Sequence, residues 1–249
     1  MINAGLQLTI TDLTMTNTSV SRNSAVARVK TVGDFGPMGG ALQWCNLATV
    51  SGLRVGDNTT RVFAVDGDAG SAAAVFAGAT MCNGFDPGPS TLSDSVINNN
   101  ISTSISPHGR ADVLGAGIDV GSSLTMRRVR VSGNFGVGVS RTGDVQGGGI
   151  WNGVFPLPFL EGLHSNLRLD KVVVTGNRVS GGQPTGGGIY TRDPIAFSST
   201  QVRGNRPNDC TGCTSATTGT ATNVDAVARR DGSGPRSFTD PLVARLVHR

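Results

Sequence analysis

Six times along this chain a short apolar stretch runs into an asparagine. Leu8, Ile10, Leu13 and Met15 precede Asn17; Val50, Leu53 and Val55 precede Asn58; Leu92 and Ile97 precede Asn100. Leu124, Met126, Val129 and Val131 then precede Asn134, Leu167, Leu169, Val172 and Val174 precede Asn177, and Ile195, Phe197 and Val202 precede Asn205. Recurrence of this kind marks a repeat architecture, in which each unit buries its apolar face only against its neighbours. A second marker alternates with the first: "GGAL", "AGAT", "GAGI", "GGGI" and "GGGI" end at positions 42, 80, 118, 150 and 189. The unit is therefore a glycine block, an apolar beat, an asparagine and a loop of variable length.

Within the beat, as in "LTMRRVRVSGN" (124 to 134), apolar residues occupy places 1, 3, 6 and 8. Alternation with one extra residue in the middle does not fit a helix; it fits two short strands meeting at a bend. The glycine block with its Ile supplies a third. Composition agrees: Gly is 36 of 249 residues, and the chain holds one Glu (Glu161) and two Lys (Lys30, Lys171), so good helix formers are scarce. Three strands per coil stacked coil on coil make an all-β, single-stranded parallel β-helix over residues 1 to 213. About six coils at about 4.8 Å each predict a rod on the order of 29 Å long. The asparagines Asn17, Asn58, Asn100, Asn134, Asn177 and Asn205 are expected at a sharp corner, tolerating left-handed backbone and joining amide to amide as a ladder. Three of them also read as glycosylation sequons, which the period already explains.

The alternation of "GGGI" with "VSGN" and "VTGN" resembles the right-handed parallel β-helix repeat proteins of bacterial surfaces and secretions, and within them the polymorphic outer-membrane and autotransporter passenger repeats. The resemblance spans residues 8 to about 213. It implies a secreted or cell-surface protein, in a family that includes adhesins, structural passengers and polysaccharide-degrading enzymes, so it implies no particular reaction. Two departures stand out: Val or Ile replaces the Phe usual before the asparagine, and no C-terminal membrane barrel follows.

Four cysteines fit export and allow three pairings. Cys45 and Cys82 each follow a glycine block, and Cys210 and Cys213 lie in "NDCTGC", so 45 with 82 and 210 with 213 is the expected arrangement. A zinc site lacks its second CxxC knuckle, so no metal ligands are assigned.

Chemistry, if present, belongs where loops converge. Segments after Asn58, Asn100 and Asn134 carry Asp66 and Asp68, then His108, Arg110 and Asp112, then Arg141 and Asp144. All three leave one corner and are expected to share a rim, where paired carboxylates suit acid and base steps on a sugar chain or, in a lyase, calcium. No other cofactor is implied. "GIDV" (117 to 120) shares only Ile118 and Asp119 with the pectate lyase element Trp-Ile-Asp-His, and His164 and His248 are isolated. A second candidate is the column Asp119, Trp151 and Tyr190. Each follows an inward-facing Ile, so the three are expected to point outward from consecutive coils as a sugar-stacking face.

The net charge of +4 is carried by scattered arginines, with no run pairing them to aromatic residues, so a nucleic-acid partner is not expected. The longest apolar run, around Ala72 to Ala77, is too short to span a bilayer. No signal peptide is visible, and Leu8 has no glycine block before it, so the natural N-terminus is expected to lie upstream. Residues 214 to 249 leave the repeat: a low-complexity, poorly structured tail with a short capping helix near 240 to 248 is expected. The sequence thus predicts a surface-interaction protein for a polysaccharide or another surface protein. A polysaccharide lyase or glycoside hydrolase is the alternative, and an inert spacer the third reading.

Overall fold

A computed structural model describes residues 6–8, 12–32, 40–44, 47–70, 73–77, 90–140, 142–154 and 164–213. Within them the chain is all β and every strand pairing is parallel. The chain visits four sheets in the same order, circuit after circuit. The first sheet takes seven strands: Leu6–Leu8, Leu42–Trp44, Val75–Ala77, Ile118–Val120, Ile150–Asn152, Ile189–Thr191 and Cys210–Thr211. The second takes six, from Asp12–Thr16 to Ile195–Ser198, and the third six, from Ser19–Ser21 to Gln201–Arg203. The fourth takes five: Ser24–Val32, Thr59–Gly67, Ile101–Ile105, Phe135–Val139 and Arg178–Ser180. A fifth, of three strands, joins Val113–Leu114, Asp144–Gln146 and Gln183–Thr185.

The apolar beat is the second and third sheets. Leu124 stands opposite Leu167 and Met126 opposite Leu169, while Ile97, Val131 and Val174 line up one sheet further on. Together with Leu42, Val75, Ile118, Ile150 and Ile189 from the first sheet they form one continuous buried core. The extra residue between the two halves of the beat is the corner. There Asn17, Asp94, Arg128, Lys171 and Ser199 have φ between 47° and 54°, and Gly52 has 67°. A non-glycine residue in this left-handed region strains its own backbone, and the corner recurs because both adjoining strands bury their inward faces.

Four expectations need correction. First, the residue with left-handed backbone at the next corner is the one before the ladder asparagine: Arg22, Asp57, Asn99, Gly133, Gly176 and Gly204, φ 55° to 66°. Second, Asn17 lies outside the ladder. Thr16 pairs with Ser51, which puts Asn17 level with Gly52, and Asn23 takes the place beside Asn58. Third, Leu42 pairs with Val75 and Val75 with Ile118, so Val75 holds the place expected for Thr80, and 78 to 80 lie outside the described residues. Fourth, the stretches after Asn58, Asn100 and Asn134, read as loops, begin with the strands of the fourth sheet. These strands were hidden because their inward residues are small: Ser102, Ser104, Gly136 and Gly138 pack toward the fifth sheet. A Cβ on Gly138 would stand 2.5 Å from Val145 Cγ2.

The amide ladder runs the length of the stack. Nδ2 of Asn23, Asn58, Asn100, Asn134 and Asn177 each donates to Oδ1 of the next asparagine at 2.9 to 3.0 Å, ending on Asn205. Each backbone N–H donates to the same oxygen, and the second amide hydrogen of Asn134 reaches Ile97 O at 3.1 Å. Asn205 donates to Asp209 Oδ1 at 2.8 Å from both its side chain and its backbone. A carboxylate is the fitting terminus, because it accepts and has nothing to donate. The two sequence markers meet here: a Cβ on Gly149 would lie 2.9 Å from Asn177 Nδ2 and 2.7 Å from Gly188 O, so the glycine block makes room for the ladder.

Beside the end of the ladder Cys210 and Cys213 form a disulfide. Cys45, Cys82, Arg141 and the whole of 214 to 249, including the expected capping helix, lie outside the described residues.

Candidate functional site

The rim is built where the fourth sheet gives way to the fifth. Bridges pairing Ala69 with Ala111 and Arg110 with Thr142, followed by Val113 with Val145, set the register, so Asp112 and Asp144 stand one above the other. Arg110 Nη2 lies 3.4 Å from Asp112 Oδ1 and 3.3 Å from Asp144 Oδ2. Two of the carboxylates also hold the backbone of the next circuit: Asp68 Oδ1 accepts Arg110 N–H at 2.7 Å, and Asp112 Oδ1 accepts Asp144 N–H at 2.6 Å. Burial raises the Asp112 carboxyl above its ordinary value, against the opposing pull of the Asp144 N–H and Arg110. The Arg110 guanidinium is in turn raised, chiefly by Asp112.

The structure thus brings Asp68, Arg110, Asp112 and Asp144 together. Asp66 lies in the strand Thr59–Gly67, exposed and opposite Thr31, and His108 is exposed. Neither forms a hydrogen bond or ion pair to that cluster among the described residues. Within the same residues no group of three or more His, Cys, Asp or Glu converges as metal ligands would. The two stacked carboxylates are instead bridged by a cation already in the chain.

The column of the first sheet is in register as expected: Asp119 pairs with Trp151 and Trp151 with Tyr190. Its exposure is not what the alternation implied. Trp151 is 0% exposed and Asp119 5%, and Tyr190 is half-buried. The Trp151 indole N–H donates to Gln146 Oε1 at 3.2 Å, and Arg192 lies 5.9 Å over the ring. An open stacking face is therefore not present at Trp151. Asp119 Oδ1 has no hydrogen-bond partner among the described residues, and desolvation raises its carboxyl well above the ordinary value of 3.8.

Asp193 is a junction that the sequence reading missed. Its Oδ2 accepts the backbone N–H groups of Val154 and Ser165 and the Ser165 hydroxyl at 3.0 to 3.1 Å, and its Oδ1 lies 3.0 Å from His164 Nδ1. The one Ser165 hydroxyl hydrogen is shared between that carboxylate and Asn152 Oδ1, 2.8 Å away, and Ser165 is fully buried. Asp193 and Ser165 thus form a clasp that joins Asn152 and Val154 to His164. His164, read as incidental, is part of that clasp. A sequence signal existed for the ladder's first member: "VSRN" at 20 to 23 carries the same apolar-x-x-Asn spacing as "VSGN", whereas Asn17 is preceded at that distance by Thr14.

Comparison with family models, curated proteins and solved structures gives no match to this chain.

Proposed function

We propose that the chain is the right-handed parallel β-helix of an exported or cell-surface protein of the passenger type, and that it works by surface interaction rather than catalysis. Its partner is a polysaccharide or another surface protein. The observation that carries this reading is the state of the rim carboxylates. Asp68 and Asp112 each accept a backbone N–H from the following circuit, and Arg110 bridges Asp112 and Asp144. A general acid and base need a free proton site within reach of the scissile bond, and these groups are committed to holding circuits together. What remains for function is the outer surface of a stack whose strands repeat at a fixed spacing, suited to a ligand that repeats as well.

Incubating the intact chain with uronic-acid and neutral glycans, with and without calcium, tests the proposal. Retention of a glycan with no new reducing ends or unsaturated products is the expected result. Cleavage that disappears in Asp144→Ala would overturn it in favour of a lyase or glycoside hydrolase. That second reading is favoured by one observation, the raised Asp112 carboxyl stacked against Asp144. An inert spacer gives neither retention nor cleavage.

A further inference from the structure

Three asparagines of this chain open an Asn-x-Ser/Thr sequon, the pattern on which an N-linked sugar is built: Asn17-Thr18-Ser19, Asn58-Thr59-Thr60 and Asn100-Ile101-Ser102. The repeat accounts for two of them. Asn58 and Asn100 are rungs of the amide ladder, and the third residues of their sequons, Thr60 and Ser102, are paired partners in the fourth sheet. It does not account for the first, because Asn17 lies outside the ladder, at a different corner and level with Gly52.

The fold closes two of the sequons and leaves the third open. Asn58 and Asn100 are 1% and 0% exposed, and Thr60 and Ser102 are 3% and 1% exposed. Both amide hydrogens of each buried asparagine are committed: Asn58 Nδ2 donates to Asn100 Oδ1 at 2.9 Å and to Val20 O at 3.0 Å. Asn100 Nδ2 donates to Asn134 Oδ1 at 2.9 Å and to Val55 O at 3.2 Å. A sugar on either nitrogen would displace one of these hydrogens inside a closed column. Asn17 and Ser19 are both exposed, with half-buried Thr18 between them, so the amide and the hydroxyl that the sequon requires stand together on the outer surface. The Asn17 side chain makes no hydrogen bond among the described residues, and its backbone N–H is tied to Ser51 O at 2.9 Å. Among the same residues the flanking strands Asp12–Thr16 and Ser19–Ser21 pair on one side only, with Leu47–Ser51 and Arg54–Gly56. A modifying enzyme therefore reaches Asn17 from the outer face and from the free edge of these strands.

We propose that Asn17 is a modification site, the sequon of the folded chain that accepts an N-linked sugar. The donor is a sugar activated on a diphosphate, brought by an asparagine glycosyltransferase. Asn17 Nδ2 forms the new bond to the anomeric carbon, the anomeric C–O bond breaks, the diphosphate leaves with that electron pair, and Nδ2 gives up one proton; nothing is oxidised or reduced. Ser19 supplies the hydroxyl by which such an enzyme recognises the sequon. The site goes beyond the surface-interaction reading above and does not depend on it.

Peptide mapping by mass spectrometry tests the proposal on the chain isolated from the cells that make it, where a sugar on Asn17 and none on Asn58 or Asn100 is expected. In vitro, the folded chain given an asparagine glycosyltransferase and its nucleotide-activated hexose should gain one hexose, at Asn17. Synthetic peptides 12–22, 53–63 and 95–105 carry the three sequons without the fold and should all be modified. Ser19→Ala keeps the acceptor amide at an exposed position and should lose the sugar, as should Asn17→Gln. Circular dichroism of each variant checks that the fold is kept, and Ser19→Ala decides if Asn17→Gln unfolds. An unmodified Asn17 in the folded chain, from either source, overturns the proposal. So does a sugar on Asn58 or Asn100 of the folded chain to the same extent as on Asn17, or undiminished modification of Ser19→Ala.

Discussion

Asparagine is irreplaceable in the ladder because its amide both accepts and donates. Asn134 Oδ1 accepts from Asn100, while its Nδ2 donates to Asn177 and to Ile97 O. Asn134→Asp keeps the acceptor and turns two donors into acceptors facing acceptors, at zero exposure. A loss of about 3 kcal/mol in urea unfolding is expected. Asn17→Gly, at a corner with φ 50°, should change stability by no more than about 1 kcal/mol, and a loss as large as that of Asn134→Asp would put Asn17 back in the ladder. Asp119 makes a second test. Its carboxyl is raised in the folded state, so the folded chain holds a proton that the unfolded chain releases above about 3.8. Stability therefore falls as pH rises from there through the folded value and levels off beyond it. Asp119→Asn should flatten that slope and raise the melting temperature at neutral pH; an unchanged pH profile would contradict the burial of an ionisable group. The sequence shows the kind of residue required, apolar-x-x-Asn, but the raised carboxyl of Asp119 follows from the burial around it and leaves no mark in the local pattern.

At the scale of elements, glycine serves two separate purposes that sequence alone merges. Gly147 and Gly186 open their blocks with φ of 64° and 60°, whereas Gly149 is small because the ladder lies against it. Gly149→Ala should cost about 3 kcal/mol, since a carbonyl and an amide must shift together. Gly176→Ala, at φ 65° with its nearest non-adjacent atom 4.0 Å away, should cost about 1 kcal/mol from backbone strain alone. Thermal unfolding of the two variants separates crowding from conformation, and equal losses would show that crowding is not what selects Gly149. The second and third sheets were legible because both bury a large apolar face on one side. The fourth was not, because its middle circuits place Ser102, Ser104, Gly136 and Gly138 inward, where a Cβ on Gly138 would meet Val145, and these small residues read as loop.

Among the described residues strands of one circuit pair only with those of the adjoining circuits, so stability is expected to add from one interface to the next. The disulfide offers a check. Breaking the short Cys210–Cys213 loop by Cys213→Ser should cost about 2 kcal/mol, felt mostly at the end it closes. Hydrogen exchange should quicken in Ile189–Thr191, which pairs with Cys210–Thr211, and stay unchanged in Arg54–Gly56. Uniform acceleration would mean that the stack unfolds as one unit. The sequence by itself determined the repeat, the two apolar strands of each beat and the asparagine column, because burial with period two and an obligatory donor-acceptor pair are local demands that each unit must meet alone. Only the tertiary structure decided which asparagine begins the column, that Trp151 is covered, that the rim carboxylates bind backbone and arginine, and that Asn17 stays open while Asn58 and Asn100 are closed. Those facts depend on register between residues about 30 to 45 positions apart, and variable insertions between units hide that register until the circuits are stacked.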